Sequence, residues 1–66
     1  MNRKKIAGRL LELRGERKRE EVALAVGISS AALCMYETGN RIPQDEIKLR
    51  LAEYYGVSVD SIFFTP

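Results

Sequence analysis

A chain of 66 residues with one cysteine and no histidine has few means of stabilising itself and few groups for chemistry. As the only cysteine, Cys34 cannot form an intrachain disulfide, and one thiolate with carboxylates is a poor ligand set for zinc, so we expect no metal. Catalysis through a general base or an activated nucleophile also lacks its usual residues, so we expect neither an enzyme nor a cofactor.

The net charge of +2 is unevenly distributed along the chain. Residues 1–19 carry eight basic and two acidic side chains, whereas residues 20–66 carry three basic and seven acidic ones. A basic end on a nearly neutral chain is typical of a face that meets a polyanion such as nucleic acid, and the alternative is a solvated helix face.

The sequence shows neither a signal peptide nor a membrane span. Charges follow Met1–Lys5 where a signal peptide needs a continuous apolar run, and no stretch has the length of a transmembrane helix. A chain this short also leaves no room for a ligand-binding domain. We therefore predict one cytoplasmic domain over residues 1–66, with no membrane partner and no small-molecule ligand.

Five helices and no strand are predicted, which makes the fold class all-α. The helices run over about Arg3–Arg14, Arg19–Ala25, Ser29–Thr38, Gln44–Tyr55 and Val59–Phe63. Ser29 and Ser58 are the N-cap residues of the third and fifth helices. Glycines follow the first four helices, namely Gly15, Gly27, Gly39 and Gly56. The apolar spacing predicts a core of Ile6, Leu10, Leu13, Val22, Ala23, Val26, Leu33, Tyr36, Ile47, Leu51, Ala52 and Tyr55.

The second and third helices flank Gly27 in the manner of a helix-turn-helix. Two short helices that cross steeply need a small residue where their axes approach, and Ala23 supplies it. They also need a residue that tolerates positive φ in the turn, which is Gly27. Apolar residues lock the inner faces to a third helix: Val22, Val26, Ile28, Leu33 and Tyr36. The pattern predicts a helix-turn-helix across Arg19–Thr38.

Four stretches resemble the Cro and lambda-repressor type of bacterial and phage regulators, also called Xre-like, in their order and spacing. They are "RLLELR" at 9–14, "EEVALAVGIS" at 20–29, "YETGNRIP" at 36–43 and "LAEYYGVSVDSIF" at 51–63. The resemblance implies a compact five-helix DNA-binding domain with a helix-turn-helix. It also implies binding to double-stranded DNA as a homodimer and a role in transcription regulation, here as a repressor.

The resemblance places one set of polar side chains against the DNA backbone: Arg17, Lys18, Arg19, Asn40 and Arg41. The family usually begins its second helix with Leu-Ser/Thr-Gln, where this chain has Arg17-Lys18-Arg19. Arg19 thus replaces a glutamine that often bonds phosphate, and a guanidinium is always charged and can bond phosphate bidentately. Such contacts would supply most of the affinity.

The groove-facing positions carried over from the family are unusually apolar: Ser29, Ser30, Ala31, Ala32, Cys34 and Met35. Between residues 29 and 37 there is no Arg, Lys, Asn or Gln, the usual readers of base edges. In one interpretation, alanine contacts thymine methyl groups, serine bonds either base type, and DNA shape adds specificity. In the other, this face binds protein, as in an antitoxin-like or anti-repressor subunit.

The Arg14–Glu37 pair and Cys34 are both interpreted as structural. Arg14 and Glu37 match a family pair that braces the first helix against the third, and we assign them no direct function. Cys34 is interpreted as a small space-filling residue, because a helix interior without a nearby His or Lys gives little reason for a reactive thiol. The alternative for Cys34 is a redox switch on DNA binding.

Aromatic residues are left over at the C-terminal end of the chain and indicate a self-association patch. The predicted dimer residues are Tyr54, Phe63 and Phe64. A two-fold axis through this patch would place two third helices about one DNA turn (~34 Å) apart. The alternative is that these aromatic side chains complete the core.

Overall fold

The computed structural model describes residues 2–66, which form five helices and no strand. The helices are α1 (Arg3–Arg14), α2 (Arg19–Val26), α3 (Ser30–Glu37), α4 (Asp45–Tyr55) and α5 (Asp60–Phe64). The all-α, five-helix prediction is confirmed, and no predicted boundary differs from the observed one by more than one residue. None of the helices in this described part has the length and hydrophobicity needed to cross a membrane.

Short polar side chains fix where three of the helices begin. The amide of Lys5 donates to Asn2 Oδ1 at 3.1 Å before α1, and the amide of Ala32 donates to Ser29 Oγ at 3.0 Å before α3. Ser58 Oγ accepts from the amide of Ser61 at 3.2 Å ahead of α5. These bonds satisfy amides that the helices themselves leave without partners, so the start points are set by local sequence.

The core lies where α1 packs on α3 and α5, and where α2 packs on α3 and α4. The buried apolar residues are Ile6, Ala7, Leu10, Val22, Ala23, Val26, Leu33, Tyr36, Leu51, Ala52, Ile62 and Phe63. Leu13, Ile47 and Tyr55 were predicted in the core, but they are only partly buried and pack along its edge. The result is a scaffold that holds α2 and α3 against the other helices.

Two basic residues take part in packing that the sequence did not reveal. Arg9 on α1 donates from Nη1 to the carbonyl of Ile62 at 2.8 Å, which ties α1 to α5. Lys48 is only 7% exposed, and its Nζ lies 3.3 Å from Asp45 Oδ1. The same Nζ lies 5.3 Å from the ring centroid of Phe64. Both side chains therefore hold α5 in position, and neither is simply a solvated surface residue.

Candidate nucleic-acid interface

Gly27 makes the turn between α2 and α3. Its φ of +85° and ψ of 33° lie in the left-handed region, where an L side chain is strained. The amides of Gly27 and Ile28 both donate to the carbonyl of Ala23 at 2.9 Å, and Ala23 is 2% exposed. The chain therefore leaves α2 and enters α3 through a short hydrogen-bonded elbow.

The outer face of α3 is small and apolar. Ala31 and Met35 are exposed, and Met35 has 36% of its surface in solvent. Ser30 and Cys34 are half-buried at the margin of this face. Ala32, which was expected to face a groove with them, is also half-buried and packs against the core. Ala32 is half-buried like Ser30 and Cys34, so its groove-facing role stays a prediction.

Most hydroxyl groups near this face already form hydrogen bonds within the chain. Thr38 Oγ1 donates to the carbonyl of Cys34 at 2.8 Å and accepts from Asn40 Nδ2 at 2.7 Å. Ser29 Oγ accepts from the amide of Ala32 as the α3 cap. The surface that α3 offers to a ligand is therefore made mostly of methyl and thioether groups, with the hydroxyl of Ser30 beside them.

Basic residues lie at both ends of this region. Lys18 precedes α2, is exposed, and makes no side-chain capping bond. Arg41 is exposed in the loop after α3, where the amides of Asn40 and Arg41 donate to the carbonyl of Met35 at 3.0 and 3.3 Å. Arg17 is exposed, but its guanidinium lies 5.4 Å from the ring centroid of Tyr54, so it faces the end of α4.

Glu37 connects the start of α2 to the end of α3. Its side chain is fully buried, and its Oε2 accepts from Arg14 Nε at 2.8 Å. Its Oε1 accepts from Arg19 Nε at 3.1 Å. Arg14 also donates from Nη1 to the carbonyl of Arg17 at 2.8 Å, which closes the turn between α1 and α2. The hydrogen bond to Glu37 raises the pKa of Arg14, although burial opposes the shift.

The Arg19–Glu37 contact is a structural feature of the candidate site that the sequence did not predict. The two residues lie 18 positions apart, and no local pattern pairs them. The one available signal was Arg19 itself, at a position where the Cro and lambda-repressor type usually has glutamine. The contact sets the position of Arg19, so the phosphate-binding prediction for that residue has to include a carboxylate partner.

Tyr55 lies beside this cluster with its hydroxyl buried and without a hydrogen-bond partner among residues 2–66. Burial raises the pKa of Tyr55 to about 12, and the charge of Glu37 adds to the shift, whereas Arg14 and Arg17 oppose it. A buried hydroxyl without a partner destabilises the fold, because it has lost its hydrogen bonds to water.

We expect Tyr55→Phe to raise the free energy of unfolding by about 1 kcal/mol at neutral pH, since it removes that hydroxyl. The folded-state pKa lies above the unfolded value of about 10, so the unfolded chain loses the Tyr55 proton first. Wild-type stability should therefore fall between pH 10 and about 12. Urea unfolding across this range should show a smaller fall in Tyr55→Phe. An equal fall in both proteins would contradict this account.

The three predicted dimer residues do not form one patch. Phe63 is 2% exposed and belongs to the core, so its assignment to an exposed patch is corrected. Tyr54 is half-buried and packs edge-on against Tyr55, with ring centroids 5.1 Å apart. Phe64 is 56% exposed and shares a cleft with Leu49, which is 60% exposed. An apolar surface is therefore present at α4 and α5, but Leu49 and Phe64 form it.

One of three comparisons with known proteins identifies a family for the chain. No curated protein and no solved structure shows a significant match to the chain. The family model of the helix-turn-helix domain matches residues 5–62, which span all five helices apart from the first residues of α1 and the last of α5. The chain therefore belongs to the helix-turn-helix domain family of DNA-binding proteins.

Proposed function

We propose that residues 1–66 act as one domain of a sequence-specific transcriptional regulator of the Cro and lambda-repressor type. In this proposal the protein binds double-stranded DNA as a homodimer on a two-fold operator and acts as a repressor. The observation that carries the proposal is the placement of α3. The outer face of α3 is exposed after the turn at Gly27. Basic side chains lie before α2, at Lys18, and after α3, at Arg41.

The DNA backbone contacts follow from the usual docking of this motif. The second helix of the motif lies in the major groove while the first crosses the backbone, so the start of α2 would face phosphate. Lys18 and Arg19 lie there, and the amides of the first turn of α2 have no side-chain cap. Arg41 and Asn40 would contact the backbone beyond α3. Glu20 and Glu21, also in the first turn of α2, reduce the positive potential.

The sequence contacts would be mostly apolar. Ala31 and Met35 present methyl groups to the groove, and the hydroxyl of Thr38 is bonded within α3. Thymine is the base that carries a C5-methyl group in the major groove. We therefore propose that thymine methyl contacts, together with DNA shape, select the operator.

Arg41→Ala and Lys18→Ala should each weaken binding to all duplex sequences alike. Each lost phosphate contact should reduce the slope of log K against log salt by about 0.9, since fewer counterions are released. Fluorescence anisotropy at several salt concentrations measures both quantities. Lys4→Ala is the matched control, because exposed Lys4 lies on α1 and outside the cleft of Leu49 and Phe64. A wild-type slope near zero would rule out the proposal.

The homodimer would form through the exposed Leu49 and Phe64 cleft. Leu49→Asp should make the protein monomeric by analytical ultracentrifugation, and it should lower affinity for a two-half-site duplex more than for a single half-site. The control is Leu24→Asp on α2, since Leu24 is 83% exposed and outside the cleft. A dimer that persists in Leu49→Asp would place the interface elsewhere.

The second candidate function is a protein-interaction module, such as an antitoxin-like or anti-repressor subunit. The apolar outer face of α3 favours it, because methyl and thioether surfaces suit a partner groove. It predicts a defined partner whose binding is lost in Met35→Glu and retained in Arg19→Ala. The DNA-binding proposal predicts that Arg19→Ala weakens binding as well, because a phosphate contact is lost.

A further inference from the structure

We infer that Glu37 is a positioning residue for a phosphate contact made by Arg19, an inference that rests on the proposed DNA-binding function. The carboxylate of Glu37 is fully buried, and its Oε2 accepts from Arg14 Nε at 2.8 Å. This bond makes Glu37 a fixed anchor, a carboxylate held in one position at the end of α3. Arg19 bonds to the other oxygen of this anchor at 3.1 Å.

The bond to Glu37 uses one edge of the Arg19 guanidinium and leaves another edge available. A guanidinium is planar, with its donors in a fixed fork, so holding Nε fixes the direction of Nη1 and Nη2. Neither terminal nitrogen has a hydrogen-bond partner within residues 2–66, and the Arg19 side chain is 35% exposed. The two terminal nitrogens thus form a pre-oriented pair of donors that suits a phosphate.

The neighbouring arginines do not have this combination. The Arg14 side chain is only 16% exposed, and its Nη1 is bonded to the carbonyl of Arg17. The guanidinium of Arg17 lies over the rings of Tyr54 and Tyr55, at 5.4 and 5.6 Å from their centroids. Within the described chain, Arg19 is the arginine that a buried carboxylate holds at the start of α2.

Charge and positioning predict opposite effects when Glu37 loses its charge. A carboxylate near the interface repels phosphate, so removing its charge alone should strengthen DNA binding and steepen the salt slope. If Glu37 positions Arg19, removing the Glu37 charge should instead weaken DNA binding, because the released Arg19 side chain must then be ordered on binding. The ordering of one long side chain corresponds to about a three- to tenfold loss of affinity. The sign of the change therefore decides between the two.

The test is a double-mutant cycle of Glu37→Gln and Arg19→Gln, measured by anisotropy on duplex DNA across a salt series. Circular dichroism in the same buffer gives the folded fraction of each variant, and affinities are calculated for folded protein. We expect Glu37→Gln to weaken binding three- to tenfold in the wild-type background and not to weaken it when Arg19→Gln is present. Glu46→Gln, in an exposed ion pair with Arg50 on α4, is the control.

Arg19→Lys tests the need for a planar group that bonds on two edges, without changing a buried residue. Lysine keeps the charge but cannot bond Glu37 and phosphate through one planar group, so we expect a similar three- to tenfold loss. Stronger binding in Glu37→Gln, an equal loss in both backgrounds, or unchanged affinity in Arg19→Lys would overturn the inference. If wild-type binding were independent of salt, the proposed function would fail, and this inference with it.

Discussion

Glu37→Ala should lower the free energy of unfolding by about 3–5 kcal/mol, because it leaves two arginines beside a buried site without their carboxylate. Arg14 and Arg19 both donate to Glu37, whose side chain is fully buried. A domain of this size has a total stability of about 3–10 kcal/mol, at about 0.05–0.15 kcal/mol per residue. The substitution should therefore remove a large fraction of the total stability.

Urea or thermal unfolding followed by circular dichroism measures this loss. Glu46→Ala is the matched control, since its carboxylate pairs with Arg50 on the surface with 75% of the side chain exposed. Exposed pairs contribute only about 0–1 kcal/mol, so the control should stay folded. If both alanine variants lost similar amounts of stability, the Glu37 cluster would have no special structural role.

Ala31→Glu should reduce affinity for DNA by more than about a hundredfold while leaving the protein folded. Ala31 is exposed on the outer face of α3, so a longer side chain meets no core residue there. The helix propensity of glutamate is only slightly below that of alanine. In a complex with α3 in the groove, the new carboxylate would face bases and phosphates, and juxtaposed like charges cost several kcal/mol.

Leu24→Glu is the control for this substitution because it adds the same charge to α2, at a position that is 83% exposed. It should lower affinity far less. Anisotropy titrations of both variants at one salt concentration are sufficient. Similar affinities for Ala31→Glu and Leu24→Glu would contradict the placement of α3 in the groove and would favour the protein-interaction alternative.

The helices could be predicted because their ends are determined by neighbouring residues. Ser29 caps α3 through its own hydroxyl, and Gly27 ends α2 through a positive φ of +85°. Both signals lie within a few residues of the feature that they cause. The apolar stripe of α1 likewise predicts burial of Leu10, since helical periodicity alone places it inside.

Features that depend on the packing of distant segments could not be predicted. Arg19 and Glu37 meet only because α2 and α3 pack together, so neither residue identifies the other in the sequence. Of the adjacent Phe63 and Phe64, the first is buried and the second is exposed. Adjacent residues on a helix point in different directions, and the packing of α5 on α1 decides which of the two rings is buried.

Selection of bound duplexes from random DNA tests the central claim most directly, because it reports binding, symmetry and spacing together. The account predicts two inverted half-sites with centres about 10 base pairs apart, each with thymines at its most constrained positions. Replacing those thymines by uracil, which lacks only the C5-methyl group, should lower the affinity. Recovery of no shared motif, or of a motif without repeated half-sites and unaffected by uracil, would contradict the account.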